Sequence, residues 1–445
     1  MQTEFLHKYG APVPRYTSYP TAPQFHDAIG AADYRQWLAA AGEGSDLSLY
    51  FHIPYCDTLC WFCGCNTKIV RRYDPIETYL AGLLREIDTV AAELPANHRV
   101  THMHWGGGSP DILSPTDIAR LAGHARARFR FADDHEFAVE IDPRGGDEDR
   151  INALAEAGIT RLSIGVQDFD PRVQQAINRH QSFEETRRVV ERFRARGVAS
   201  VNIDLIYGLP YQTRRSIEKT ARAVLTLEPD RLAIFGYAHL PGRIKHQRMI
   251  DDASLPGLAA RFELAGIVGD LFAAAGYKRI GLDHFARPGD PLASGRVRRN
   301  FQGYTTDGAE CLIGLGASAI GRLRHGYVQN AVPAGDYLRR IGERGLATVR
   351  GFRLDTDDEV RALTIDRLMC ELQFDRETLR DRFGAGASGV IAEAEALVAG
   401  EHDGLIEPTA GGFRVTEKGR PFLRTICARF DRYLATSPAR HSLGV

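Results

Sequence analysis

The chain has 445 residues, 44% of them apolar, and 56 Lys and Arg against 57 Asp and Glu leave a formal net charge of −1. At about 100–200 residues per domain the length allows several domains, and the balanced charge excludes a protein held to nucleic acid by a general basic surface. Only six of the basic residues are Lys, so nearly all the positive charge is Arg, the side chain suited to a two-pronged grip on carboxylates and phosphates.

Residues 1–43 carry Pro12, Pro14, Tyr16, Tyr19 and Pro20 and read as an ordered arm. No basic segment followed by an apolar core opens the chain, and no run of about 18 apolar residues occurs in it, so a cytoplasmic protein without a membrane partner is expected. From about Leu47 to Tyr237, β-branched or aromatic runs alternate with amphipathic stretches, the pattern of βα units around a parallel sheet. The expected strands are Leu47–Ile53, Val100–Trp105, Glu136–Ile141, Arg161–Val166, Ser200–Tyr207 and Arg231–Tyr237. Helical patterns lie between them at Ile76–Leu94, Pro115–Phe129, Glu148–Ala157, Glu184–Arg196 and Arg214–Leu227, and Ser114-Pro115 forms a good cap and first turn. Strands buried on both faces make either a doubly wound sheet or a complete or partial barrel, and periodicity does not choose. After about residue 325 the pattern turns helical at Asp357–Leu372, Asp375–Phe383 and Ser388–Ala399; a short hairpin across Gly411-Gly412 and a helix from Pro421 to Tyr433 follow. This reads as a small winged-helix-like module without the basic excess of a DNA reader.

Four of the seven Cys, Cys56, Cys60, Cys63 and Cys65, fall on one loop after the first strand, while Cys311, Cys370 and Cys427 are scattered and read as buried thiols. Such clustering disfavours a disulfide framework and favours a metal or redox site in a reducing compartment. Spacings of four and three residues let three thiolates converge on one face of an iron–sulfur cubane and leave one iron without a protein ligand. Structural zinc usually takes two separated pairs of ligands, although Cys65 would complete a four-thiolate site on this loop.

Further segments accompany the loop: Arg15-Tyr-Thr-Ser-Tyr-Pro-Thr-Ala22, His104-Trp-Gly-Gly-Gly-Ser-Pro110, Glu140-Ile-Asp-Pro-Arg144, Gly165-Val-Gln-Asp-Phe169, Asn202-Ile-Asp-Leu-Ile-Tyr-Gly-Leu-Pro210, Tyr237-Ala-His-Leu-Pro241 and Arg299-Asn-Phe-Gln-Gly-Tyr-Thr-Thr306. In this order, over nearly the whole chain, they resemble the radical S-adenosylmethionine (SAM) superfamily and, within it, the oxygen-independent coproporphyrinogen III oxidase (dehydrogenase) branch. The resemblance implies a partial (βα)6-type barrel, α/β in class, over residues 44–325. The arm 1–43 would cover the active site, 326–355 would be a linker, and 356–445 a mainly helical C-terminal domain. It also implies a 4Fe–4S cluster on Cys56, Cys60 and Cys63, SAM chelating the open iron, and a 5′-deoxyadenosyl radical that abstracts hydrogen from the substrate.

Each segment has its own physical reading. Gly106-Gly107-Gly108 ends a strand where the lack of Cβ lets backbone amides approach a ligand. Glu140 ends another, where a carboxylate can pair with a cationic group such as the SAM ammonium. Gln167 and Asp204 stand at or near strand C-termini, where barrel and open-sheet sites gather. By resemblance, Tyr50, Gly108, Glu140 and Ile320 surround the cluster-bound SAM, and a second SAM meets Phe62, Ser109, Pro110, Gln167, Arg179, Asp204 and Ala238. Tyr50 and Cys65 are the catalytic candidates; Cys65 also distinguishes the decarboxylating enzyme from related haem chaperones, which usually carry an aromatic residue there.

The implied substrate, coproporphyrinogen III, bears four propionates, so its site needs several guanidiniums; Arg15, Arg144, Arg161, Arg179 and Arg299 are candidates. Tyr16 and Tyr19 are expected over the macrocycle. A monomer reduced by a flavodoxin- or ferredoxin-type donor, with no nucleic-acid partner, completes the expectation. Its rivals are a haem-trafficking or haem-modifying protein of the same branch and a metal or iron–sulfur module without catalysis.

Overall fold

A computed structural model describes residues 2–42 and 44–436. The arm holds two short helices, α1 (Gln2–Tyr9) and α2 (Ala31–Ala39). Six strands follow: β1 (Asp46–Ile53), β2 (Arg99–Gly107), β3 (Phe131–Ile141), β4 (Arg161–Gln167), β5 (Ser200–Tyr207) and β6 (Arg231–Gly236). They pair in that order, all parallel. Between them run α3 (Asp74–Glu93), α4 (Pro115–Arg128), α5 (Glu148–Glu156), α6 (Phe183–Ala195) and α7 (Arg214–Leu225). The expected α/β array is thus present with small shifts at strand ends, the largest at β3, which begins at Phe131.

Local chemistry starts these helices where the sequence indicates. Ser114 accepts from the Asp117 N–H at 3.2 Å to cap α4, while Ser182 with Glu185 and Thr213 with Ser216 form capping boxes on α6 and α7. Each cap is worth about 1 kcal/mol.

The sheet is larger than the six expected strands. After α8 (Leu258–Ala274) come β7 (Lys278–Ile280), β8 (His284–Ala286), β9 (Cys311–Leu315), β10 (Ile320–Leu323) and β11 (Gly326–Asn330), then α9 (Ala334–Arg344) and β12 (Thr348–Arg353). The full order is β12-β11-β10-β9-β1-β2-β3-β4-β5-β6-β8-β7, and the two edge strands do not pair with each other, so the array stays open. β9 lies parallel to β1, with Leu47 opposite Cys311 and Phe51 opposite Leu315. Residues 326–355, expected as a linker, are therefore part of the main sheet: β11 and β12 pair antiparallel along its edge. Helix α8 escapes the periodic pattern because it is apolar on nearly every side. Leu264, Val268 and Phe272 pack into the sheet's core while Leu258 and Phe262 pack on the C-terminal module.

The strands are buried on both faces, as expected, but the two faces differ in chemistry. One face is apolar: Phe51, Trp105 and Phe137 pack edge-to-face across β1, β2 and β3, with Trp105 at centroid distances of 6.2 and 5.0 Å from its neighbours. The other face is polar, presenting Ser48, His104, Glu140, Ser163 and Asp204 to a cavity. Alternation with period 2 separates the two sets.

The C-terminal module runs α10 (Thr356–Glu371), β13 (Gln373–Asp375), α11 (Arg376–Phe383), α12 (Ser388–Ala399), β14 (Ile406–Thr409), β15 (Gly412–Val415) and α13 (Leu423–Cys427). Its sheet order is β13-β15-β14, and Phe374 packs near-parallel to Phe413 and Phe430 with centroids 5.3 and 6.0 Å away. The expected Pro421–Tyr433 helix is short, with 3-10 turns before and after α13. Tyr16 and Tyr19 belong to this core, each 3% exposed. The Tyr16 hydroxyl donates to Asp431 at 3.0 Å and the Tyr19 hydroxyl accepts from the Arg432 N–H at 3.1 Å. They fix the arm to the module instead of lying over the cavity above the cysteine loop, which the arm reaches through Arg15.

Candidate active site

The C-terminal ends of the parallel strands open on a cavity of about 910 Å³. All four clustered Cys line it, as do Phe62, Gly108, Ser109, Glu140, Gln167, Arg179, Asp204 and Ala238. Tyr50, Pro110 and Ile320 do not. Tyr50 is on β1 with its hydroxyl 3.0 Å from His52 Nδ1, Pro110 is buried at the start of a 3-10 turn, and Ile320 opens β10.

The cysteine loop is clamped from several sides. Tyr55–Cys56 pairs with Lys68–Ile69 at its base. Asn178 Nδ2 donates to the Leu59 carbonyl at 2.8 Å, Gln247 Nε2 to the Phe62 carbonyl at 3.0 Å, and His246 Nε2 lies 2.7 Å from the Cys63 carbonyl oxygen. Two guanidiniums face the buried Cys60 sulfur: Arg179 Nη1 at 3.4 Å and Arg144 Nη2 at 3.5 Å. Asp142 holds both, accepting from Arg144 Nε at 2.9 Å and Arg179 Nη1 at 3.1 Å. Burial pushes the Asp142 carboxyl up, but the charges and hydrogen bonds of Arg179 and Arg144 outweigh it and bring it down to about 2. The Cys56 thiol is pushed up to about 12 by burial and then by Cys63 and Cys60. Cys65 donates to Cys63, which favours the Cys63 thiolate and raises Cys65.

Opposite the loop, Glu140 accepts from the Gly107 N–H at 3.2 Å and lies 3.0 Å from His104 Nε2. Burial raises its carboxyl; the His104 hydrogen bond and charge and the Gly107 N–H outweigh that, leaving it ionised below the usual range. A Cβ on Gly106 would stand 2.6 Å from Glu140 Oε1 and displace that carboxylate, while one on Gly108 would stand 2.4 Å from the Tyr55 carbonyl oxygen, so Gly108 requires glycine. Ser109 donates to Asp111 at 2.6 Å. Gln167 ends β4 with φ of 68°, strain that is typical of functional positions. Asp204, held by Asn202 at 2.8 Å, is pushed up to about 6, chiefly by burial.

These residues fit a cluster and its SAM. Three thiols share one wall, Cys60 already receives two cationic donors, backbone approaches closely at Gly106 and Gly108, and Arg179 Nε is buried without a partner beside them. His104 and Asp142, which hold Glu140 and the two arginines at Cys60, were passed over by sequence reasoning. Their signal was the two-residue spacing from Gly106 and Glu140, which sets His104 on the cavity face of β2 and Asp142 at the cavity just past the end of β3.

Comparisons with known proteins agree with this geometry. Residues 50–224 match the model of the radical SAM superfamily and residues 354–422 that of the HemN C-terminal domain. The chain is 45% identical over 437 residues, 97% of its length and 96% of the other's, to an oxygen-independent coproporphyrinogen III oxidase of Paracoccus denitrificans. It is 43% identical to one from Pseudomonas aeruginosa over 97% of this chain and 95% of that one. The solved structure of the Escherichia coli coproporphyrinogen III oxidase, described as a radical SAM enzyme, superposes with a TM-score of 0.90 at 40% identity, covering 94% of this chain and 98% of that one.

Proposed function

The chain belongs to the oxygen-independent coproporphyrinogen III oxidase family of radical SAM enzymes, and on that premise we propose how its site works. It is an oxidoreductase of haem biosynthesis that decarboxylates two propionates of coproporphyrinogen III to vinyls, giving protoporphyrinogen IX. A 4Fe–4S cluster and SAM are its cofactors. When bound, they supply the carbon radical that takes a hydrogen from the propionate.

Cys56, Cys60 and Cys63 hold the cluster, with Arg144 and Arg179 donating to the Cys60 sulfur. Gly106 to Gly108 present backbone to the SAM amino acid, and the ionised Glu140, fixed by His104, pairs with its ammonium. Tyr50 and Ile320 back this first SAM; Phe62, Ser109, Pro110, Gln167, Arg179, Asp204 and Ala238 receive a second one. Cys65, beside Cys63 in the cavity, serves the reacting substrate and is not a cluster ligand. The arm encloses the site, and the C-terminal domain, whose α–β–α–α–β–β order suits a winged helix, anchors the arm. The protein acts as a cytoplasmic monomer reduced by a flavodoxin- or ferredoxin-type donor at the cysteine loop. Among the described residues no helix is long and apolar enough to cross a membrane.

The observation that carries this reading is the convergence of the three thiols, the glycine strand end and Glu140 on one cavity. The test is anaerobic reconstitution with coproporphyrinogen III, counting SAM consumed against vinyl groups formed. Protoporphyrinogen IX with SAM cleavage is expected; a cluster that binds SAM without forming either product overturns the reading.

A further inference from the structure

Five arginines are candidates for the substrate's carboxylates, and three are committed elsewhere. Arg144 and Arg179 hold Asp142, and Arg161 holds Glu136 with Nε at 3.0 Å and Nη2 at 2.9 Å. Arg15 and Arg299 differ. Arg299 stands on the hairpin formed by Arg298–Asn300 and Gly303–Thr305. Its side chain is 5% exposed, yet Nε and Nη1 have no hydrogen-bond partner. Asp283 Oδ1 lies 3.6 Å from Nη1, and the guanidinium covers the Tyr304 ring at 4.4 Å. A cation taken from water without replacement hydrogen bonds is costly, so such a group calls for an acceptor. Arg15 donates from Nη2 to the Gly236 carbonyl at 2.9 Å and otherwise opens on the cofactor cavity.

The two arginines lie in one field. Arg15 and Arg299 repel each other, and Arg15 and Arg261 do likewise. Asp283 is a carboxylate that faces both Arg15 and Arg299. Asn300, Phe301, Thr305, Asp307 and Leu312 line both the cofactor cavity and a second cavity of about 760 Å³. The hairpin is therefore the wall between them: Arg15 lines the first cavity and Arg299 the second.

We propose that Arg15 and Arg299 form a carboxylate-binding subsite that anchors propionates of the porphyrinogen on the two sides of this hairpin. The subsite rests on the coproporphyrinogen reading above. A carboxylate would satisfy the two open donors of Arg299, and another the cavity-facing donors of Arg15, at charge-assisted strength. Recognition is then by charge, so the neutral ester of the same pigment gains nothing from either arginine.

Coproporphyrin III, which keeps all four propionates and is fluorescent, serves as the binding probe for the reconstituted holoenzyme, with its tetramethyl ester as the neutral control. Arg15→Gln and Arg299→Gln should each weaken binding of the acid about tenfold or more and leave that of the ester unchanged, and Arg299→Lys should restore part of the loss. If Arg299→Gln does not fold, Arg15→Gln, whose hydrogen bond is to a single carbonyl, decides. Wild-type affinity for the acid in Arg15→Gln and in whichever Arg299 variant folds overturns the subsite. A wild-type holoenzyme that binds the acid but never converts coproporphyrinogen III overturns the functional reading and leaves the subsite standing as an anion site.

Discussion

Arg179 Nη1 lies 3.4 Å from Cys60 Sγ while the same nitrogen, 3.1 Å from Asp142 Oδ2, is fixed by a carboxylate. A cationic donor held on a ligand sulfur favours the more negative, reduced form of a cluster. Replacing Arg144, the second donor to Cys60, by Gln should lower the cluster's midpoint potential by about 50 mV, the equivalent of roughly 1 kcal/mol for one electron. Redox titration followed by electron paramagnetic resonance checks this; an unchanged potential with full iron content sinks it.

Glu140 and Gly106 form a matched pair, since a Cβ on Gly106 would meet the carboxylate at 2.6 Å. Glu140→Gln and Gly106→Ala should both retain iron and weaken SAM binding by about tenfold or more, one by removing charge and the other by displacing it. Calorimetric titration of SAM into the reconstituted protein measures the loss.

Cys65 and Cys63 sit two residues apart in the same cavity but should respond differently to serine. Cys63→Ser should lose the cluster, as read from iron content and visible absorption. Cys65→Ser should keep the iron and lower vinyl formation by about tenfold or more, in the range expected for loss of a group that assists proton transfer. A Cys65→Ser protein that loses its iron would make Cys65 a ligand.

Glu86 is fully buried, accepting from the Gly316 N–H and the Tyr337 hydroxyl, each at 2.7 Å, and from Asn330 Nδ2 at 2.6 Å. Burial pushes its carboxyl up to about 7 from 4.5, although the three hydrogen bonds oppose the rise. Between those values the native state binds more protons than the unfolded chain, so this group's contribution to stability falls as pH rises through that window, by roughly 3 kcal/mol in all. Melting temperatures measured from about pH 5 to 8 should show this slope, and Glu86→Gln should flatten it. The same slope in both proteins refutes the account.

Much of this was legible in the sequence for local reasons. The cluster spacing from Cys56 to Cys63, the cap at Ser114, and the alternation of the six strands β1 to β6 with helices depend on neighbours along the chain. The short antiparallel strands β7, β8 and β10 to β12 were not legible, since three to six residues carry little periodic signal and their partners are distant in sequence. Helix α8 was hidden for the opposite reason, being buried on two sides and so without a polar stripe.

The sequence by itself determined the chemistry of the loop, the βα order and the separate C-terminal module, because residue type and spacing along the chain specify donor sets, caps and strand periods. Only the tertiary structure decided which arginines are already neutralised and which stand open, because a guanidinium's partner is set by long-range packing. Asp142 takes Arg179 from a different βα unit, Glu136 takes Arg161 from the next strand, and Arg15 and Arg299, far apart in the chain, line the two cavities on either side of one hairpin. The near-zero net charge could not reveal that pairing, since it sums all positions and the site depends on where the few uncompensated charges meet.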